Sequence, residues 1–120
     1  MANINNEDFA AYNQYNAQLN NLNAQKTQIK MLIDSTQNAI EELKESKEDH
    51  AFKNLGFVLL KVEKGKLIKD LESEIETLNI RIKSLDKTEE IMSKKVQELQ
   101  AKFNAEMSKS SNKTSSKDEE

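Results

Sequence analysis

The sequence predicts a mainly α fold, a long antiparallel two-helix coiled coil with one short β-hairpin between the helices. Three observations carry this prediction. The 120 residues contain no Pro and only 2 Gly, so little punctuates long elements. Two stretches of similar length repeat apolar residues at alternating spacings of three and four. Between them lies a short segment that is apolar on both faces and bracketed by the two glycines.

The first stretch gives Tyr12, Tyr15, Leu19, Leu22, Lys26, Ile29, Ile33, Thr36, Ile40 and Leu43. The second gives Ile68, Leu71, Ile75, Leu78, Ile82, Leu85, Glu89, Met92, Val96, Leu99 and Phe103. Sustained heptads of this kind are the sequence pattern of a coiled-coil seam. A strict seven-residue period favours a left-handed supercoil. Composition agrees. Apolar residues make up 36% and charged residues 32%, against roughly 45–50% apolar in an average globular domain. A thin seam needs fewer apolar residues than a thick core, because most of each helix faces water.

Folding the two stretches back on each other gives a register. Leu43 opposite Ile68 places Ile33 by Leu78, Leu22 by Glu89 and Tyr12 by Leu99, and Ile4 approaches Met107. Lys26 and Glu89 then fall in neighbouring layers. Either they reach each other and fix the register, a known use of polar seam residues, or each snorkels separately to solvent.

The insertion begins with the charged run from Lys44 to His50 and continues through Phe52, Leu55, Gly56, Phe57, Val58, Leu59, Leu60 and Val62. Aromatic and β-branched residues here favour strand. Residues 51–54 are expected to pair with residues 57–62 about a turn at Gly56, with Gly65 marking re-entry into helix. The alternative is that residues 57–60 extend the second helix; the two flanking glycines argue against it. Phe57 and Leu59 are expected to point one way, and Val58, Leu60 and Val62 the other. A lone two-stranded ribbon is marginal in water, and two helices cannot cover both of its faces. The hairpin is therefore expected to pair with strands of other chains.

The expected organisation is one coiled-coil and hairpin domain over residues 1–107. It comprises a helix at about 6–47, a hairpin at about 51–62 and a helix at about 66–107. A Ser/Lys/Asp/Glu-rich tail at 108–120 reads as disordered.

Several function classes are excluded by composition. His50 is the only histidine and Cys is absent, so the chain alone supplies no Ser-His-Asp triad, thiol nucleophile or two-histidine metal site. His50 beside Glu48 and Asp49 reads as a solvated residue. Gly56 and Gly65 match no phosphate-binding loop. No enzyme activity, cofactor or metal is expected. A net charge of −3, with 18 basic and 21 acidic residues, gives no basic face for nucleic acid. No apolar run approaches the ~20 residues of a membrane span. Residues 1–8 lack the basic and apolar regions of a signal peptide. A cytoplasmic location is expected.

The helix ends carry a second signal. Ile4, Phe9, Tyr12 and Tyr15 stand in a tract rich in Asn and Gln. In the antiparallel register they meet Leu99, Phe103 and Met107. Phe9 lies off the seam and is expected to stay partly exposed. Asn weakens helix, so this end is expected to fray. Aromatics and Met among amides suit adaptable binding of apolar surface. The same residues also read as ordinary seam positions near a terminus, and spacing alone does not separate the two readings.

The run Phe52-Lys53-Asn54-Leu55-Gly56-Phe57-Val58-Leu59-Leu60-Lys61-Val62 resembles the hairpin of β-type prefoldin subunits. The stretch from Leu71 to Ile82 is similar to the start of their second helix, particularly in archaeal members; eukaryotic β-class subunits are related. The likeness spans about residues 9–107. It departs from the family in an Asn-rich rather than Gln-rich start and in having no Pro near the ends. The resemblance implies an ATP-independent holdase of two α-type and four β-type subunits. Their hairpins form an intersubunit β-barrel platform. Their coiled-coil tips hold non-native proteins and pass them to a group II chaperonin. Carried over, the client-binding tip is Ile4, Phe9, Tyr12, Tyr15, Leu99, Phe103 and Met107, and the assembly hairpin is Phe52, Leu55, Gly56, Phe57, Val58, Leu59, Leu60 and Val62. The competing reading is a passive coiled-coil scaffold without client activity.

Overall fold

The structure, a computed structural model, describes residues 6–119, with side-chain surroundings for residues 6–108. Two long helices flank a short antiparallel β-hairpin, in the order α1 (Asn6–Glu45), β1 (His50–Asn54), β2 (Leu59–Glu63) and α2 (Lys64–Glu119). The expected architecture is present. Helix α1 carries Glu7 and Asp8 in its first turn and Lys44 in its last, each sign matched to the helix dipole.

The chain packs as two compact units. One holds residues 25–85, and the other holds residues up to 24 with those from 86 onward. In the hairpin unit, Ile29 and Ile40 are buried on the first heptad stripe. Thr36 is buried there too. Its hydroxyl donates to the Leu32 carbonyl one turn back at 2.7 Å, so a polar seam residue is satisfied within its own helix. Leu32 lines one groove with Leu78, and Leu43 another with Leu67 and Leu71. Most other stripe residues, such as Leu71, Ile75 and Leu78, are half-buried. Two helices can cover only one stripe of each other.

The strands pair as His50↔Glu63, Ala51↔Val62, Phe52↔Lys61, Lys53↔Leu60 and Asn54↔Leu59. Each strand runs one residue further than expected at its helix-facing end, and β2 starts two residues later. Phe57 and Val58, read as strand, belong instead to the turn. The cause is local. Asn54 Oδ1 accepts from the Gly56 N–H at 2.8 Å, Gly56 sits at φ +94°, and the Leu55 N–H donates to the Val58 carbonyl at 2.9 Å. A side-chain turn followed by a left-handed glycine closes a wider loop than two residues allow. Leu59 and Leu60 lie in β2, so residues 57–60 do not extend the second helix.

Helix α1 stops at Glu45, earlier than the expected 47, and α2 starts at Lys64 rather than 66. Gly65 therefore sits inside the first turn of α2. Lys64 explains both boundaries. Its N–H donates to the Asp49 carbonyl at 2.9 Å, and its ammonium donates to the Ser46 carbonyl at 2.7 Å. Ser46 N–H in turn donates to the Glu42 carbonyl at 3.0 Å. A lysine opening one helix thus caps the carbonyl end of the other. Helix α2 also runs on to Glu119, through the segment read as a disordered tail. That segment has no Pro or Gly to break it, and helical backbone bonding does not require an apolar stripe.

In the terminal unit, Leu22 and Phe103 are buried. Glu106 is buried as well, three residues beyond the last expected stripe position. Lys26 falls in the hairpin unit and Glu89 in the terminal unit. Both are half-buried, and each has an interaction partner.

Candidate functional site

Two surfaces carry apolar side chains that stand exposed among the described residues. The first is the β-hairpin. Its register puts Ala51, Lys53, Leu60 and Val62 on one face and Phe52, Asn54, Leu59 and Lys61 on the other. Ala51 and Val62 are half-buried. They sit nearest the helices, where Ala51 lines a groove of about 480 Å³ with Ala39, Leu43, Leu67 and Leu71. The second face is the more open one: Phe52, which borders the same groove, is 65% exposed and Leu59 66%. At the turn, Phe57 is 87% exposed, and Leu55 and Val58 are exposed too. Leu60, on the first face, is also exposed. The sheet has two strands, so each strand leaves one edge of N–H and C=O groups unpaired by the sheet.

The second surface is in the terminal unit. The Phe9 and Phe103 rings stack at 4.9 Å between centroids with planes 20° apart, and Tyr12 meets Phe103 edge-on at 5.4 Å and 67°. Phe103 is only 7% exposed, whereas Phe9 is 49% and Met107 65% exposed. Phe103 is thus the covered centre of the cluster, and Phe9 and Met107 are its open margin. Phe9, Tyr12, Phe103 and Met107 line an open groove of about 370 Å³, together with Asn13, Gln100 and Asn104. A neighbouring groove is lined by Tyr15 and Leu99. The Lys95 ammonium stands 5.2 Å from the Tyr15 ring centroid, within cation–π range. Ile4 lies outside the described residues. The structure brings the other six predicted tip residues into one unit but distributes them over two grooves.

Sequence reasoning missed the polar frame of this surface. Tyr12 Oη donates to Gln100 Oε1 at 2.7 Å, and Gln100 Nε2 donates to Asn104 Oδ1 at 3.3 Å. The Lys102 ammonium donates to Asp8 Oδ2 at 2.6 Å. Carrying the heptad three residues past Phe103 would have reached Glu106. Nothing in the spacing marks Gln100 or Asn104, because their role depends on the partner helix. Among the described residues, no cluster of three or more His, Asp or Glu is placed to hold a metal ion, and no helix is long and apolar enough to cross a membrane.

Comparison with known proteins agrees with this architecture. Residues 6–110 match the prefoldin subunit family. The prefoldin subunit beta of Methanospirillum hungatei is 33% identical over 95 residues, covering 78% of this chain and 79% of its own. That of Archaeoglobus fulgidus is 36% identical, covering 78% and 82%. The crystal structure of the prefoldin beta subunit from Thermococcus strain KS-1 superposes with a TM-score of 0.74 at 27% identity, over 88% of this chain and 96% of that one. With the hairpin between two long helices, these matches settle that the chain belongs to the prefoldin subunit family of chaperone subunits, and within it to the β type.

Proposed function

We propose that this chain is one subunit of a hexameric, ATP-independent holdase, assembled with α-type prefoldin subunits and further β-type copies in the cytoplasm. Its hairpin contributes strands to an intersubunit β-barrel. Its aromatic surface captures non-native client proteins, and the complex passes them to a group II chaperonin. The observation that carries the reading is the hairpin. Phe57, Leu59 and Phe52 stand exposed on a ribbon with unpaired edges, a cost that only strand pairing with other chains relieves. A passive rod has no use for such an insertion.

Assembly and capture are tested separately. Leu59→Asp with Val62→Asp should block assembly with an α-type partner while leaving most helicity intact. An unchanged oligomer mass would refute the hairpin's role. In the assembled protein, deletion of residues 1–11 and 104–120 should abolish protection of an aggregating client. Full protection after that deletion would refute capture by the aromatic surface. Absence of protection by the intact assembly would refute the holdase reading in favour of a scaffold.

A further inference from the structure

We infer that the groove lined by Phe9, Tyr12, Phe103 and Met107 reads the peptide backbone of its ligand through the side-chain amides of Asn13 and Asn104, and so selects extended, uncharged apolar segments over helical ones. The inference rests on the capture reading above and names the ligand class of that surface.

Size comes first. At about 370 Å³ the groove lies at the small end of ligand clefts, about 300–1,000 Å³. It has room for a bulky side chain or two and not for a packed element. Charge comes second. Lys102 and Asp8 neutralise each other at 2.6 Å, and Glu106 is buried with a partner of its own. Among the described residues, Tyr12 is the one titratable side chain lining the groove, and none of them selects a ligand by charge.

The amides come third. Gln100 is held from both sides, by Tyr12 Oη and by Asn104. Asn104 spends its carbonyl on Gln100, and its NH₂ stays available. Asn13 is exposed on the facing helix, and neither the C=O nor the NH₂ of its amide takes a partner among the described residues. An apolar side chain entering the groove draws its own peptide group out of water. That group needs both an acceptor and a donor. Helix backbones cannot supply them, since theirs are spent internally. An Asn side chain offers both and is indifferent to the ligand's sequence. An extended segment gains from this pairing, whereas a helical ligand, with its backbone already bonded, does not. One amide of the Asn-rich start of α1, Asn13, which the heptad pattern leaves unexplained, thereby acquires a role.

The test uses the full-length chain assembled with its α-type partner and a fluorescein-labelled, uncharged peptide bearing one Phe amid Ser and Gly. A second peptide is N-methylated on the amides flanking that Phe, which keeps the apolar group and removes the donors. N-methylation should weaken binding to the wild type about fivefold, the effect of roughly one hydrogen bond. The Asn13→Ala, Asn104→Ala double variant should bind the parent peptide about fivefold more weakly and respond less than twofold to methylation. Ala raises helix propensity at both exposed positions, so the variant stays helical. Equal losses on methylation in wild type and double variant would overturn backbone reading alone. Parent-peptide binding that is undetectable, or unchanged in Phe9→Ser, Met107→Ser, would overturn the capture reading and this inference with it.

Discussion

Phe103→Ala separates what holds the aromatic surface together from what binds. Phe103 is 7% exposed, stacks on Phe9 at 4.9 Å and meets Tyr12 at 5.4 Å. Truncating a core Phe costs about 3–5 kcal/mol, and its aromatic pairs account for about 0.5–1.5 kcal/mol each. A two-helix seam can collapse into the space left behind, which favours the lower end, about 3 kcal/mol. At ~1.4 kcal/mol per tenfold, local opening then becomes roughly 100-fold easier. Native-state hydrogen exchange on the assembled protein reads this directly. Amides in residues 8–15 and 99–107 should exchange roughly 100-fold faster, while those around Ile29 and Ile40 keep their wild-type rates. Phe9→Ala is the control. With half of its surface already in water, its cost should be about 1 kcal/mol, or roughly fivefold in exchange. Its loss of client protection should nevertheless match or exceed that of Phe103→Ala. Equal exchange rates in the two variants would refute the assignment of Phe103 as the structural centre and Phe9 as the contact residue.

Gly56→Ala should destabilise the hairpin by about 1–2 kcal/mol, because φ +94° is a left-handed conformation and the new Cβ meets nothing that could offset it. Thermal melts of the assembly should show a lower midpoint, with Gly56→Asn losing less. Lys64→Met removes the ammonium bond to the Ser46 carbonyl; the expected loss is about 1–2 kcal/mol, read as a lower urea midpoint, and an unchanged midpoint would rule out a capping role.

The heptads made the helices and their pairing legible, since a period of seven states which faces meet before any coordinate is known. The limits of the hairpin were harder to read. Strand propensity rewards Phe57 and Val58 as readily as Leu59, and only the bond from Gly56 N–H to Asn54 Oδ1 assigns them to the turn. Lys64 was illegible for a different reason. A cation opening a helix reads as misplaced against that helix's own dipole, until the carbonyl end of α1 is seen beside it. The aromatic cluster could be foreseen as a neighbourhood, from Phe9, Tyr12 and Phe103 in the paired register. So could part of its division, because Phe103 stands on the heptad stripe and Phe9 off it, in line with their 7% and 49% exposure; the amides that frame the cluster could not, since their bonds depend on the partner helix.

The two exposed surfaces differ in what they leave unsatisfied, and this bears on the partners each can take. The hairpin exposes apolar side chains and also strand edges, whose N–H and C=O groups are directional and spaced at fixed intervals. A partner that relieves them must present a strand in matching register, which favours few and lasting partners. The aromatic surface is built on helices whose backbone is already bonded. It offers rings, a thioether and side-chain amides, none of which imposes a register. Such a surface can accept many sequences weakly and release them without any step driven by nucleotide. The same physics predicts opposite responses to one perturbation. Blocking a ligand's backbone donors should abolish pairing at the hairpin, where the ladder is the interaction. At the groove, where the proposed backbone contacts are those of Asn13 and Asn104 alone, it should cost about fivefold.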